Sequence, residues 1–281
     1  MSQISIITIN YNNLDGLKKT IQSVVGQSYK DFEYIVIDGG STDGSASYIQ
    51  QHVSSINYNV SEKDTGIYNA MNKGIKVATG EYLLFLNSGD SFASAQVLEK
   101  VLPFLELNKG FIFGNMTLSK NNNIISKLTP PTKLDFSYFV GNSLPHPATF
   151  IKRQLFLTNF FYNEKLKIVA DWEFFIYCIC KQNISYQHTN ETISDFDNSG
   201  VSSQIENKQK ITIEENQVFK HHFPMFLLDV EWIRNIKSKR LQQLNYLSTR
   251  KLRWKFLKGF CSILLGQKKI AYTKPIFTKL N

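Results

Sequence analysis

The first 107 residues alternate between short apolar runs and segments with helical spacing, and this alternation limits the possible folds more than any other feature. Four apolar runs have the length and composition of buried strands, at 4–9, 32–37, 56–60 and 82–86. Helical patterns follow the strands: 14–25, a segment capped from 41–43, 67–78 and 95–107. Strands and helices that alternate in this way predict an α/β fold with a mostly parallel central sheet flanked by helices.

Polar or acidic residues stand where each of these strands ends. They are Asn10, Asp38, the pair Glu62 and Asp64, and the segment 87–90. Ligands of such sheets bind beyond the carboxyl ends of the strands. The sequence therefore predicts that these residues line one cleft.

After residue 111 the pattern loosens. The segments 111–116 and 124–128 can pair as a hairpin across three asparagines, a helix is expected over 170–181, and the chain turns helical and basic beyond about residue 206. We predict a catalytic domain over 1–225, with a nucleotide-binding half (1–95) and an acceptor-side half (96–225). A basic helical extension is predicted over 226–281.

The positive charge is concentrated in that extension. Residues 232–281 contain 13 Lys and Arg and no Asp or Glu, whereas the first 231 residues contain 19 basic and 23 acidic residues. On a helical projection Lys251, Lys255 and Lys258 lie opposite Phe256 and Phe260. This pattern favours a helix lying on an anionic membrane surface, with packing against the domain as the alternative. Nucleic acid is not expected as a partner, because no nucleic-acid-binding motif accompanies the charge.

Other features bear on the compartment. Three cysteines without a framework argue against a disulfide-built secreted protein, and no apolar run reaches the ~18 residues that a spanning helix needs. The chain begins with a strand and shows no signal peptide. We expect a cytoplasmic protein, peripheral on the inner face of the cell membrane.

The usual phosphate-binding loops are missing from the sequence, which has no Walker motif and no Gly-x-Gly-x-x-Gly after the first strand. A bound nucleotide would then need a cation for its phosphates. Asp90 can supply a carboxylate to Mg²⁺ or Mn²⁺ beside a diphosphate. It can equally cap a helix that starts near Ser94.

Four further residues have both a functional and a structural interpretation. Asp38 can accept hydrogen bonds from a base or ribose, or from its own turn. Asp171 and Glu173 can present a general base to a cleft, or complement the dipole at a helix start. His146, between two prolines, is either structural or a contact for phosphate or acceptor.

The order of four sequence blocks resembles the inverting family 2 glycosyltransferases with the GT-A fold, of the type found in bacterial surface polysaccharide synthesis. The resemblance is strongest over residues 3–92, with weaker similarity at 146–153, 170–173 and 199–202. Its blocks are Ser5-Ile6-Ile7-Thr8-Ile9-Asn10-Tyr11-Asn12, Glu33-Tyr34-Ile35-Val36-Ile37-Asp38-Gly39-Gly40-Ser41-Thr42-Asp43-Gly44, Asp64-Thr65-Gly66-Ile67-Tyr68-Asn69-Ala70-Met71-Asn72-Lys73-Gly74-Ile75 and Phe85-Leu86-Asn87-Ser88-Gly89-Asp90.

The resemblance implies roles for particular residues. The nucleotide-sugar site would include Thr8, Asn10, Asp38, Asp64 and Ser88. Asp90 would bind the divalent metal, and Asp171 would be the catalytic base. Ser88 stands where the family keeps the first Asp of its Asp-x-Asp motif, so one carboxylate of that motif is missing here.

The function implied is transfer of a hexose from a nucleotide-sugar donor, with UDP as the expected nucleotide, to a polyprenyl-diphosphate-linked glycan. The reaction would be a metal-assisted single displacement with inversion. One alternative is a catalytically inactive module that binds nucleotide sugars or glycans, which the serine at position 88 encourages. A nucleotidyltransferase is a second alternative, but the loop after the first strand lacks the Gly, Lys and Arg expected of one.

Overall fold

The computed structural model describes residues 3–120, 123–197, 207–238 and 246. The chain divides into two compact units, residues 1–227 and 228–281. All the candidate site residues named above lie in the first unit. The basic segment 251–264, predicted to bind membrane, lies outside the described residues. No helix among the described residues is both long enough and apolar enough to cross a bilayer.

The first four strands form the parallel sheet that the sequence predicts. Strand β1 pairs with β2 on one side and β4 on the other, β3 pairs with β2, and all three pairings are parallel. Every residue of β1 is buried, as expected for a strand in the middle of a sheet covered on both faces. The strands are β1 (Ile4–Asn10), β2 (Glu33–Asp38), β3 (Tyr58–Ser61) and β4 (Tyr82–Phe85).

Helices cover both faces of this sheet. Successive side chains of β1 point to opposite faces, and each face packs against a different helix. Ile6 belongs to the core cluster that contains Leu17 and Ile21 of helix α1. On the other face helix α3 approaches so closely that a Cβ at Gly74 would lie 2.5 Å from Ile7 Cγ2. A side chain at position 74 would push α3 away from the sheet, so glycine allows the helix to lie close to β1. The helices are α1 (Leu14–Val25), α2 (Ser45–Gln51), α3 (Ile67–Val77) and α4 (Val97–Leu105).

Beyond β4 the sheet becomes mixed. The strand order is β3-β2-β1-β4-β8-β6-β9-β5, and β7 pairs with β6 outside this path. The predicted hairpin is confirmed, because β6 and β7 pair antiparallel. In contrast, β6 and β9 run parallel. The strands are β5 (Ser91–Phe92), β6 (Phe111–Lys120), β7 (Asn123–Leu128), β8 (Thr149–Lys152) and β9 (Tyr186–Asp197).

The later helices complete the first unit and enter the second. The segment predicted as one helix over 170–181 is an α-helix only to Ile176 and continues as a π-helical turn over Tyr177–Lys181. Helix α8 is the longest of those described, and its buried residues are Glu214, Val218 and Phe219. The helices are α5 (Phe136–Phe139), α6 (Gln154–Thr158), α7 (Ala170–Ile176), α8 (Lys208–His222) and α9 (Leu227–Lys237).

Candidate active site

A hydrogen-bond network centred on Asp38 joins the ends of β1, β2 and β3. Asp38 Oδ1 accepts hydrogen bonds from Asn10 Nδ2 at 2.7 Å and Ser41 Oγ at 2.6 Å. Asp38 Oδ2 accepts from Ser61 Oγ at 2.6 Å and from the Ser41 amide at 2.9 Å. Burial favours the neutral acid, but these bonds favour the carboxylate more strongly and lower the pKa of Asp38 below its ordinary value. Asp38 thus organises its own turn and fixes a negative charge at this sheet edge.

Thr8 supports the same strand ends from inside the core. It is fully buried, its Oγ1 donates to the Leu86 carbonyl at 2.8 Å, and the Tyr34 hydroxyl lies 3.1 Å from it. The Thr8 hydroxyl therefore donates one hydrogen bond and accepts another within the protein. A role for Thr8 in nucleoside binding stays a prediction.

Asp64 lies against the turn that follows β2. Its Oδ1 accepts from the Gly66 amide at 3.0 Å. Its Oδ2 would be 2.5 Å from a Cβ at Gly39, so a larger residue at position 39 would displace this carboxylate. Helix α3 begins at Ile67, directly after this loop. The structure therefore places the half-buried Asp64 beside the Asp38 turn.

The turn after β4 carries Ser88 and Asp90. Ser88 Oγ donates to the Asn13 carbonyl at 3.1 Å, and Asn13 Nδ2 donates to the Ser88 carbonyl at 3.2 Å. Asp90 is only 4% exposed, and its Oδ1 accepts from the Asp197 amide at 3.1 Å. Helix α4 begins at Val97 with Gln96 as its N-terminal cap, so Asp90 does not cap that helix.

The charge state of Asp90 reflects its surroundings. Burial raises the pKa of Asp90 to about 7, the Asp197 amide and Lys19 oppose this rise, and the negative charges of Asp197 and Asp195 add to it. The Asp90 carboxyl group is therefore harder to ionise than an ordinary aspartate. A nearby cation would favour its ionised form.

The residues at this turn fit a divalent cation only together with a diphosphate. No group of three or more His, Cys, Asp or Glu side chains in the described part of the chain is arranged to hold a metal by itself. The oxygen of the Asp90 carboxylate is nevertheless the ligand type that Mg²⁺ and Mn²⁺ take. Asp197 is a second carboxylate nearby, with its Oδ2 3.5 Å from the position of a Cβ at Gly89.

Asp171 is held by a side chain of helix α3. The Tyr68 hydroxyl, on the first turn of α3, lies 2.9 Å from Asp171 Oδ1 and 2.6 Å from the Ile168 carbonyl. Asp171 is half-buried at the start of α7. Because α3 follows the Asp64 loop, this contact brings Asp171 to that loop.

His146 belongs to the same group of side chains. Its Nε2 lies 3.0 Å from the Tyr162 hydroxyl, and its ring stacks on Phe85 at 4.8 Å between centroids. Burial lowers the pKa of His146, and the nearby charge of Asp171 opposes this. The imidazole is therefore neutral at physiological pH and serves as a packed, hydrogen-bonded partner of Tyr162.

Glu173, the other acid in this helix start, has a different environment. It is 4% exposed, and its Oε1 lies 3.0 Å from His222 Nε2 on α8. Of the two acids, Asp171 contacts Tyr68, whereas Glu173 is buried against α8.

Two residues of this arrangement, Tyr68 and Asp197, were not predicted from the sequence. Tyr68 lay inside the third motif block, and its spacing to Asp171 of 103 residues leaves no periodic signal. Asp197 reaches the Asp90 turn only because β9 runs beside β6 and β5.

Comparison with known proteins identifies the family. The family model described as Glycosyl transferase family 2 matches residues 5–167, more than half of the chain. The chain belongs to glycosyl transferase family 2. The resemblance seen in the motif blocks is thereby confirmed, and the family is one of enzymes. The matched range includes every candidate donor residue and His146, and it ends before Asp171.

Relatives in sequence are named glycosyltransferases or glucosyltransferases. An uncharacterized glycosyltransferase of Mycobacterium tuberculosis is 34% identical over 177 residues, which are 62% of this chain and 67% of the relative. A PGL/p-HBAD biosynthesis glycosyltransferase of Mycobacterium bovis is 29% identical over 73% of this chain and 81% of that protein. The UDP-Glc:alpha-D-GlcNAc-diphosphoundecaprenol beta-1,3-glucosyltransferase WfgD of Escherichia coli is 29% identical over 50% of this chain and 55% of that enzyme.

Solved structures share the fold. TarS 1–349 of S. aureus in complex with UDP-GlcNAc has a TM-score of 0.58 at 20% identity, covering 69% of this chain and 58% of that one. The mannosyltransferase PcManGT of Pyrobaculum calidifontis, in complex with GDP-Man and Mn²⁺, has a TM-score of 0.57 at 15% identity, covering 95% of this chain and 81% of that one. The match spans 36% of the longer TarS chain. The mixed α/β sheet flanked by helices is therefore the GT-A fold.

Proposed function

We propose that this protein transfers a hexose from a UDP-sugar to a polyprenyl-diphosphate-linked glycan, with inversion at the anomeric carbon. In this proposal Asp90 binds a divalent metal together with the donor diphosphate. Asp171 is the base that takes the proton from the acceptor hydroxyl. Thr8, Asn10, Asp38, Asp64 and Ser88 form the donor side, and His146 is a contact for phosphate or acceptor.

The contact between Tyr68 and Asp171 supports the proposal most directly. A single displacement needs a base close to the donor's anomeric carbon, on the side from which the acceptor attacks. The 2.9 Å contact holds the Asp171 carboxylate next to the helix that begins at the Asp64 loop. A half-buried acid in this position is suited to reach an acceptor hydroxyl.

The Tyr68 hydroxyl can serve both protonation states of Asp171. It has one proton and two acceptors within 2.9 Å, the Ile168 carbonyl and Asp171 Oδ1. When Asp171 is ionised, the hydroxyl donates a hydrogen bond to it. After Asp171 has taken the acceptor's proton, it can donate to the Tyr68 oxygen while Tyr68 donates to Ile168.

The donor assignment draws on the names of similar proteins. WfgD is named for UDP-Glc, and TarS was solved with UDP-GlcNAc. The bound metal would act as a Lewis acid that stabilises charge on the departing diphosphate. Asp90 fits this role because it is a buried carboxylate with Asp197 as a second carboxylate nearby. The serine at position 88 replaces the first acid of the family motif and leaves the Asp90 carboxylate in place.

A lipid-linked acceptor accounts for the basic extension. WfgD is named for an acceptor on diphosphoundecaprenol, and a protein acting on such a lipid works at a membrane surface. The 13 basic residues of 232–281 would favour anionic lipid. Within the first unit, Met225 is 90% exposed close to where that extension begins. We therefore propose peripheral attachment to the inner face of the membrane.

A donor and acceptor screen tests the function. Purified full-length protein is incubated with UDP-glucose, UDP-galactose, UDP-GlcNAc or GDP-mannose, with Mn²⁺ and a polyprenyl-diphosphate-linked GlcNAc acceptor. We expect transfer from a UDP-hexose that stops on chelation of the metal. Binding of UDP-sugars without transfer to any lipid-linked glycan, including membrane extract, would favour the inactive binding module.

Sedimentation with vesicles tests the membrane attachment. The full chain and a chain ending at Arg250 are mixed with vesicles containing anionic phospholipid, at low and high salt. We expect the full chain to sediment at low salt and the shortened chain to stay in solution. Equal amounts of both forms in the supernatant at low salt would contradict the attachment.

A further inference from the structure

The segment that leads into α7 is held by a carboxylate from α8. Glu214 Oε1 accepts from the Lys167 amide at 2.9 Å, and Glu214 Oε2 accepts from the amides of Ile168 at 2.9 Å and Val169 at 3.3 Å. Glu214 is 6% exposed, so its charge is stabilised chiefly by these amides. Hydrogen bonds from amides to a buried carboxylate are charge-assisted and strong.

Glu214 replaces a local cap for helix α7. Val169 is the N-terminal cap residue and has no side-chain oxygen to offer the helix start. A carboxylate at this end also complements the positive end of the helix dipole. Helices are usually capped by a neighbouring side chain, but here the capping carboxylate comes from a residue 45 positions further along the chain. It fixes the backbone of Val169, two residues before Asp171.

A second contact ties the same two helices together beyond Asp171. His222 Nε2 lies 3.0 Å from Glu173 Oε1, and the His222 ring stacks on Phe160 at 5.8 Å between centroids. Glu214 and His222 are separated by about two helical turns, or ~12 Å along α8. Helix α8 therefore holds α7 on both sides of Asp171.

We propose that Glu214 is a positioning residue for the base, acting through the backbone of residues 167–169. The inference rests on the proposed function, in which Asp171 is that base. Tyr68 contacts Ile168 and Asp171 from the donor side, and Glu214 holds the same segment from α8. With Glu214 altered, the Asp171 carboxylate would lose its fixed position relative to Tyr68. A misplacement of ~1 Å at a reacting group can reduce the rate by ~10²-fold.

The test compares Glu214→Gln with Val218→Ala in the full-length protein. Glutamine keeps the size of the side chain but turns an NH₂ group towards the amides and removes the charge. Val218 is buried on the same helix and has no polar side chain, so Val218→Ala controls for destabilisation of α8. We expect Glu214→Gln to lower kcat by ~10-fold or more while UDP affinity changes by less than ~2-fold, and Val218→Ala to leave kcat per folded molecule near wild type.

Hydrogen exchange of the amides of residues 167–172 provides a readout independent of activity. We expect faster exchange of these amides in Glu214→Gln than in Val218→Ala, and partial recovery in Glu214→Asp, which keeps the charge with a shorter reach. Equal kcat and equal exchange in the two variants would overturn the positioning role.

Asp171→Asn, measured beside them, separates this inference from the proposed function. An active Asp171→Asn would show that the base itself is wrongly assigned. An inactive Asp171→Asn, with Glu214→Gln behaving like Val218→Ala, would overturn the role of Glu214 alone.

Discussion

The proposed donor side and the proposed acceptor side of this site are built in different ways. On the donor side the candidate residues lie at the ends of neighbouring parallel strands, and the sheet register alone brings Asn10 beside Asp38. On the acceptor side Asp171 depends on contacts from distant segments, with Tyr68 preceding it by 103 residues and Glu214 following in α8. The donor side is thus a consequence of the sheet, whereas the acceptor side is assembled from three separate helices.

This difference predicts a functional division. Changes on the donor side should alter the binding of nucleotide and metal, and changes on the acceptor side should alter turnover with binding intact. The following substitutions test that division, beginning with the largest expected effect.

Asp171→Asn should reduce kcat by ~10²-fold or more, because an amide cannot take the acceptor's proton. The affinity for UDP, measured by calorimetry with Mn²⁺ present, should stay within ~2-fold of wild type. Glu173→Gln is the matched control, with an expected loss of less than ~10-fold. If Glu173→Gln were inactive and Asp171→Asn active, the roles of the two acids would have to be exchanged.

Asp90→Asn should weaken metal-dependent binding of UDP by ~10-fold to 100-fold, because the carboxylate ligand is lost. Calorimetric titration of UDP with and without Mn²⁺ measures this effect. Glu99→Gln, the same change from carboxylate to amide on α4, is the control, since Glu99 Oε2 accepts a hydrogen bond from the exposed Ser28 Oγ at 2.9 Å, and its effect should be below ~3-fold. Unchanged Mn²⁺-dependent affinity in Asp90→Asn would place the metal elsewhere.

Tyr68→Phe should lower kcat by ~10-fold, because it removes a hydrogen bond to a carboxylate while keeping the ring in place. Tyr82→Phe is a suitable control, since the Tyr82 hydroxyl also bonds a backbone carbonyl, that of Lys109, at 2.7 Å and lies at the opposite end of the sheet. Steady-state rates at saturating donor compare the two. Equal rates would mean that Tyr68 has no special relation to Asp171.

Asp38→Asn should destabilise the fold by ~1–3 kcal/mol at neutral pH, because an amide cannot accept from all four donors around it. The pKa of Asp38 is lowered on folding, so its stabilising effect is present above the unfolded-state pKa of ~3.9 and is lost as pH falls towards the folded-state pKa. Urea unfolding at several pH values should show the difference between wild type and variant narrowing below about pH 5. A difference that stays constant with pH would contradict the lowered pKa.

The contrast between the two sides also explains what the sequence could predict. Apolar runs and polar strand ends are local signals. They correctly predicted the parallel sheet formed by the first four strands and the proximity of Asn10 and Asp38. The hairpin of β6 and β7 was equally local. Asp197 beside Asp90, and Glu214 at the start of α7, arise from contacts across many residues. No spacing rule encodes such contacts, and the π-helical turn after Ile176 reflects tertiary packing in the same way.

The stereochemistry of the first product tests the central claim most directly. With a UDP-α-hexose donor, a single displacement assisted by one base on the acceptor side forms a β-linkage, because the acceptor attacks opposite the leaving diphosphate. NMR spectroscopy of the anomeric proton in the purified product distinguishes the two linkages. The account predicts a β-linked product from the wild-type protein and a strongly reduced rate of its formation in Asp171→Asn. An α-linked product would show that the reaction is not the inverting displacement proposed here.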